Sequence, residues 1–463
     1  MLQIYNTFTK RKEIFTPIIP GEISLYVCGI TVYDYCHIGH ARVFVAFDAI
    51  VRFLRASGWK VNYVCNITDV DDKIIKRARE NNESTEALTA RFIAAMGEDM
   101  QALNVVPADK QPRATAHMPE IIGMVSRLLD NQVAYIAENK DIYFQVDKYA
   151  SYGQLAHKDL EQLQSGARVD VVEVKRSPLD FVLWKQAKEN EISWPSPWGA
   201  GRPGWHIECS AMSTACLGNT FDIHGGGADL VFPHHENERA QSECATGKPF
   251  VNTWMHVGFV QIDKEKMSKS LNNFFTIREV LAEYEAEVVR YFLLASHYHS
   301  PVNYSTAQLE QAKSNLSTFY TVLRGLKFPD NTDIHGLINK ADKHYEDFFE
   351  AMNDDFNTPV ALSVLFDLVR ILNHSEDKTS ADFIAQAALL KFLGNILGIL
   401  ENDPNVFLQG KDADRKYIET QIALREKARQ DKNWAKADEI RQALLATGIV
   451  LDDTPVGTTW RKE

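Results

Sequence analysis

Two short runs and one scattered set of side chains carry the chemistry open to this chain. The first run is His37-Ile38-Gly39-His40, reached from an alternating apolar segment, Ser24 to Ile30, through Thr31 to Cys36. If a helix opens there, its first N–H groups and partial positive charge suit phosphate. Gly39 lets a ligand approach the backbone, and imidazoles at i and i+3 share a face from which both can donate to phosphate oxygens. The second run is Lys266-Met267-Ser268-Lys269-Ser270, preceded by Lys264, in a loop after an apparent strand. Lysines so placed can neutralise charge developing on a polyphosphate during displacement at phosphorus. Read singly, the first run is also a polar helix cap and the second a solvated surface loop.

The scattered set begins with Cys28 at the end of the first apolar segment. Cys209 follows Trp205-His206-Ile207-Glu208, and further on comes Phe232-Pro233-His234-His235-Glu236-Asn237-Glu238. Pro233 suits the first turn of a helix, which puts His234 and Glu238 at i and i+4 on one face. One imidazole, one carboxylate and two thiolates make a tetrahedral zinc set. The other reading is buried structural cysteines and a surface His/Glu helix. His235, about 100° round such a helix from His234, is expected to point elsewhere.

These residues need elements to hold them. Val43, Phe47, Ile50, Val51, Phe53 and Leu54 recur near helical spacing, and Gly58 is placed to cap that helix. Lys60 to Thr68, rich in β-branched and aromatic residues, reads as a second strand. A strand–helix–strand unit predicts a parallel sheet, which holds ligands at the carboxyl ends of its strands. Helices are predicted from Asp72 and from about Ser84. Residues 120 to 200 read as an insertion with a helix, β segments at Tyr135 to Val146 and Val169 to Val174, and a Pro/Gly/Trp-rich stretch. The βα pattern returns at Phe221 to His224 and Trp254 to Gln261. From Tyr304 the pattern is helical, with a break at Pro404.

Composition sets the limits. A chain of 463 residues exceeds one hydrophobic core, and 45% hydrophobic with 24% charged residues is ordinary globular content. No apolar run approaches the roughly 18–20 residues that span a bilayer. Ala388 to Leu400, interrupted by Lys391 and Asn395, reads as a core helix. The polar stretch Met1 to Lys10 has no signal-peptide run, so a cytoplasmic protein is expected. Six scattered cysteines are then reduced, and serve as buried hydrophobes, metal ligands or catalytic groups. The formal net charge is -12, yet Lys411 to Glu463 carries 11 Lys and Arg against 10 Asp and Glu. That less acidic tail holds Lys432, Trp434, Lys436, Arg441 and Trp460. Tryptophan among Lys and Arg suits stacking on unpaired bases, or else the core of a small helical domain.

In this order, the His37 and Lys266 runs resemble the two signatures of class I aminoacyl-tRNA synthetases. Val27 to Asp34, Gly204 to Met212, and His224-Gly225-Gly226-Gly227-Ala228-Asp229 running on to Glu238 resemble the cysteinyl-tRNA synthetases within that class, along the whole chain. The resemblance implies an α/β architecture. A Rossmann-like catalytic domain (1–119 and 201–250) carries an inserted acceptor-end domain (120–200). A stem-contact region (251–310), a helical bundle (311–404) and an anticodon-binding domain (405–463) follow. It implies one zinc on Cys28, Cys209, His234 and Glu238, with Mg2+ entering with ATP. His37, His40, Lys266 and Lys269 would be catalytic. Gly29, Thr31, Thr68 and Trp205 would meet L-cysteine. ATP would lie against His37, Gly39, His40, Gly225, Gly226, Gly227, Asp229 and Lys269. Lys432, Trp434, Lys436, Arg441 and Trp460 would meet tRNA(Cys), and the protein would act as a monomer. Two alternatives remain at this point. One is a cysteine ligase of the mycothiol pathway, which passes cysteine to an amino sugar; the other is a non-enzymatic zinc-stabilised RNA-binding protein.

Overall fold

The computed structural model describes residues 1–159, 174–188, 191–262, 265–266, 274–326, 334–409, 415–454 and 457–462. They form two units, one of residues 1–309 with 349–361, the other of residues 310–348 with 362–463.

The first unit opens with an antiparallel hairpin, β1 (Gln3–Asn6) and β2 (Arg11–Ile14). Then β3 (Glu22–Val27), α1 (Ile38–Ala56) and β4 (Lys60–Cys65) build the strand–helix–strand unit, with β3 and β4 parallel. β4 stops at Cys65, three residues short of the sequence expectation; Thr68 pairs singly with Thr31 beyond the strand ends. Asp71 caps α2 (Asp72–Glu80) and Ser84 caps α3 (Thr85–Ala102), each through its side-chain oxygen.

The insertion carries α4 (Met118–Asp130) and an antiparallel sheet in the order β5 (Ala134–Ile136), β6 (Ile142–Phe144), β7 (Phe181–Gln186), β8 (Gly201–Pro203). The expected strand at Val169 to Val174 lies essentially outside the described residues. Ile121, Met124, Leu128, Phe144 and Trp184 bury against Ile207 and Met212 of α5 (Trp205–Leu217). The insertion therefore braces the helix that carries Cys209.

The chain returns through β9 (Phe221–Gly227), α6 (Glu236–Thr246) and β10 (Val251–Val257). The parallel sheet runs in the order β10-β9-β3-β4, and its register sets Val27 beside both Gly225 and Cys65 and Val257 beside Gly227. All four carboxyl ends thus face one edge, where open parallel sheets bind ligands. Beyond it lie β11 (Val260–Ile262), β12 (Glu265–Lys266), α7 (Ile277–Glu283), α8 (Ala286–Leu294) and β13 (Val302–Tyr304).

From Thr306 the chain is largely helical: α9 (Thr306–Leu323), α10 (Lys343–Asn353), α11 (Thr358–His374), α12 (Ala381–Ile396), α13 (Pro404–Gln409), α14 (Arg415–Gln430) and α15 (Trp434–Leu445). Pro404 starts α13, where its missing N–H costs nothing. The chain then forms a hairpin, β14 (Ile449–Thr454) with β15 (Gly457–Lys462), which the helical reading of the tail did not anticipate. Arg425 ties α14 to that hairpin through two bonds to Asp453 at 2.7 and 2.8 Å. Among the described residues no helix is long and apolar enough to cross a membrane.

Candidate active site and metal centre

A cavity of about 530 Å³ opens at the carboxyl edge of the parallel sheet. Cys28, Gly29, Thr31, His37, Gly39, His40, Trp205, Gly227 and Asp229 line it, so nine of the sequence candidates share one space. Close packing explains the glycines. A β-carbon on Gly29 would lie 1.7 Å from the Asn66 carbonyl oxygen, and one on Gly225 would lie 2.1 Å from the Phe47 ring.

His37 is the N-cap of α1. Its Nδ1 accepts from the backbone N–H of Gly39 and His40 at 3.1 and 3.3 Å, while His40 Nδ1 accepts from His37 N–H at 3.3 Å. The two rings stack with centroids 3.6 Å apart. This corrects the expectation of open backbone donors: the capping box has already satisfied two N–H groups of the first turn. A phosphate brought to this turn would meet the imidazoles and the helix dipole rather than bare amides.

The metal-donor set converges at the floor of the cavity. Donor atoms of Cys28, Cys209, His234 and Glu238 all lie within 4.8 Å of one another, and all four residues are buried. Glu238 Oε1 stands 3.3 Å from Cys28 Sγ and 3.0 Å from His234 Nε2. Cys28 follows β3 directly, Cys209 sits in the second turn of α5, and Glu238 lies in the first turn of α6. Three segments far apart in the chain thus supply one site, and this set can hold a metal ion.

The four groups shift one another's proton affinities. A hydrogen bond from Cys28 lowers the Cys209 thiol to about 6 against the opposing effect of burial. Burial and the neighbouring Cys209 push Cys28 well up. Burial would lower His234, but the Glu238 carboxylate outweighs it and raises the imidazole to about 10. Burial likewise opposes ionisation of Glu238, yet His224 and His234 hold its carboxyl well below the usual range. The second nitrogen of His234 meets His206 Nδ1 at 2.8 Å, and Trp205 stacks on the His234 ring at 4.0 Å.

His235 departs from expectation. It is buried in the same cluster, with Nε2 3.9 Å from Glu238 Oε1, and a second donor set joins Cys28, His224, His235 and Glu238. The physical reason is local. Val231–His235 form a π-turn with Phe232 extended (φ -140, ψ 132), and the α-helix begins only at Glu236. An α-helical wheel drawn from Pro233 therefore misplaces the His235 ring. Sequence reasoning also passed over His206, His224 and His256; their one available signal was proximity in sequence to Trp205, Gly225 and Val257.

Of the remaining candidates, Thr68 is buried beside the cavity, paired to Thr31 through the backbone. Lys266 ends β12, and Lys269 lies outside the described residues. In the tail, Trp434 is 60% exposed at the start of α15. Lys436 pairs with Glu439 at 3.0 Å on the surface. Trp460 is 4% exposed and packs with Ile418, Ile422, Ile440, Leu444, Ile449 and Leu451. Its expected stacking on RNA is corrected: the indole is the core of the α14–α15–hairpin layer and has no open face to offer.

The parallel sheet, the capped His37 turn at its edge and the donor cluster beneath define a class I aminoacyl-tRNA synthetase. Residues 14–314 match the class I tRNA synthetase (C) catalytic domain, 347–401 the DALR domain, and 418–461 the cysteinyl-tRNA ligase anticodon binding domain. The fold is similar to Mycobacterium tuberculosis methionyl-tRNA synthetase in complex with methionyl-adenylate (TM-score 0.57, 16% identity, 81% of this chain and 89% of that one). It is also similar to the Agrobacterium radiobacter LeuRS–tRNA–LeuAMS complex (TM-score 0.59, 11% identity, 84% and 87%). Cysteine–tRNA ligases from Tolumonas auensis and Proteus mirabilis are each 57% identical over 467 residues, covering 100% of both chains. The chain belongs to the cysteine–tRNA ligase family.

Proposed function

We propose that this protein activates L-cysteine with ATP and esterifies it to tRNA(Cys), with zinc held by Cys28, Cys209, His234 and Glu238. The observation that carries the reading is the convergence of those four buried donors beneath the cavity that His37, His40 and Trp205 line. The alternative donor set has one thiolate and would take His224 from its 2.9 Å bond to Glu238. The set with two thiolates suits zinc better.

When bound, zinc would supply a soft, strong partner for the substrate thiolate, which the serine hydroxyl, of far higher pKa, cannot match. Contacts with protein atoms alone separate such near-isosteres by only about 1–3 kcal/mol, whereas a 10⁴-fold preference needs roughly 5.5 kcal/mol. Trp205 closes one side of the cavity against bulkier side chains. The cysteine carboxylate attacks the α-phosphorus of ATP, which enters with Mg2+, and pyrophosphate leaves with the bonding electrons. His37 and His40 steady the phosphates at the α1 terminus, and Gly225 to Gly227 with Asp229 cradle the nucleoside. The 2′-OH of the terminal tRNA ribose then attacks the acyl carbonyl and releases AMP. Positioning and electrostatics carry most of the rate. We further take the protein to work as a monomer in the cytoplasm, where its six unpaired cysteines stay reduced.

The test combines metal analysis with ATP–pyrophosphate exchange and tRNA charging. About one zinc per chain, exchange with cysteine and not with serine, and charging of tRNA(Cys) are the expected results. Exchange without charging would move the reading to an amino-sugar ligase, and neither activity would move it to an RNA-binding protein.

The two tail tryptophans should behave differently. Trp434→Ala is expected to weaken charging by the loss of one stacked base, about 1–3 kcal/mol, with exchange and melting temperature unchanged. Trp460→Ala should instead destabilise its layer by about 3–5 kcal/mol, read by thermal denaturation. Equal losses of stability in both would contradict the exposed, RNA-facing role of Trp434.

A further inference from the structure

Buried at the base of the cluster, Glu238 has two oxygens with different neighbours. Oε1 faces the other donors, 3.3 Å from Cys28 Sγ and 3.0 Å from His234 Nε2. Oε2 is 2.9 Å from Nε2 of His224, a residue with no exposed surface. Between an ionised carboxylate and an imidazole only the ring nitrogen can donate, so His224 Nε2 donates to Glu238 Oε2. Among the described residues His224 Nδ1 has no hydrogen-bond partner, so the ring's one polar contact there is the one to Glu238. The ring is clamped by Trp254, stacked at 4.8 Å and 17°, and by Tyr26, edge-on at 5.3 Å. It sits on β9 one residue before Gly225, so the sheet itself fixes its height beneath the donors.

From this geometry, and resting on the zinc site proposed above, we infer that His224 is a positioning residue that makes Glu238 a one-oxygen ligand. By holding Oε2 it presents Oε1 alone to the metal and prevents the carboxylate from gripping with both oxygens. A metal with four single-atom donors keeps room for the substrate thiolate. A carboxylate bound through both oxygens would fill that room before substrate arrives. His224 thereby acts on cysteine recognition without touching cysteine. Partners of this kind, which orient a ligand through its second atom, typically govern metal affinity 10- to 100-fold.

The test compares His224→Ala with His224→Gln, whose amide can donate from nearly the position of Nε2. The full-length protein is loaded with zinc or with cobalt. In chelator competition, His224→Ala should bind zinc about 10- to 100-fold more weakly, and His224→Gln close to wild type. With cobalt, the wild type should show intense visible d–d bands that weaken on adding cysteine. His224→Ala should show weak bands before cysteine is added, and the glutamine variant should restore the intense ones. Wild-type zinc affinity and wild-type bands in His224→Ala overturn the inference. So does a glutamine variant as impaired as alanine, because the imidazole would then serve as packing or as a ligand in its own right. Failure of the underlying zinc reading looks different: the wild-type cobalt protein would lack the near-ultraviolet sulfur-to-metal band that two thiolates produce, and the inference would fall with it.

Discussion

Cys209→Ala is expected to lose metal and cysteine-dependent pyrophosphate exchange together. The thiol is 1% exposed in the second turn of α5, a helix packed between the parallel sheet and the insertion. Among the described residues no cysteine besides Cys28 and Cys209 belongs to either donor set. Binding free energies of four-donor zinc sites at neutral pH run to roughly 10–16 kcal/mol, and removing one of two thiolates takes away a large part. What stays behind is unfavourable as well, since Glu238 and His234 remain buried with a smaller countercharge. Cys36→Ala is the control. Cys36 is also buried, and its thiol is pushed up to about 12 by burial and by Asp99, but it contributes to neither donor set. That variant should keep its metal and at most lose stability. Purification of Cys209→Ala with a full complement of zinc would show that the ligand assignment is wrong.

The parts of this molecule that were legible in its sequence are those written locally. The β3–α1–β4 unit announces itself by alternation, helical spacing and Gly58, and the His37 run stands where a strand becomes a helix. The four donor residues could be proposed as a set from their types, because thiols, an imidazole and a carboxylate are what zinc takes. What stayed hidden was second-neighbour structure. Nothing in the spacing of His224, 14 residues before Glu238, says that a strand and a helix will bring Nε2 and Oε2 to 2.9 Å. The π-turn before α6 defeated the helical wheel at His235, since its backbone is extended at Phe232. The His37 cap was misjudged for a subtler reason. A histidine is not among the usual capping residues, yet its Nδ1 reaches the same N–H groups that a serine oxygen would. In the tail, Asp452 and Asp453 interrupt a short β pattern in the sequence, and that hairpin takes its stability from packing on α14 and α15 through Trp460. A mixed-charge segment with two tryptophans does not disclose which of them is the core.

Lys269→Ala should slow adenylate formation by about 10²- to 10⁴-fold while leaving cysteine binding within a few-fold of wild type. Lys269 is outside the described residues, but both flanks of its loop are placed. On one side β12 pairs with β11. On the other, Ile38 N–H donates to the Phe275 carbonyl at 3.1 Å, Ile277 N–H donates to the Cys36 carbonyl at 2.9 Å, and Phe274 lines the cavity. The segment following the loop is therefore stitched to the turn that carries His37 and His40, the turn proposed above to meet the phosphates. A cation there meets little new charge in the ground state, where ATP already carries Mg2+. It gains most when charge builds on the departing pyrophosphate. An interaction that strengthens only on the way to the transition state appears in the rate and not in the binding of the other substrate. Rapid-quench measurement of adenylate formation across cysteine concentrations separates the two. The expected pattern is a much lower maximal rate with a half-saturating cysteine concentration close to wild type, since in the proposed binding mode the thiol end of the substrate would lie against Cys28, Cys209 and Trp205. An unchanged rate with weakened cysteine binding would place Lys269 at the amino-acid end of the cavity and remove it from the chemistry at phosphorus.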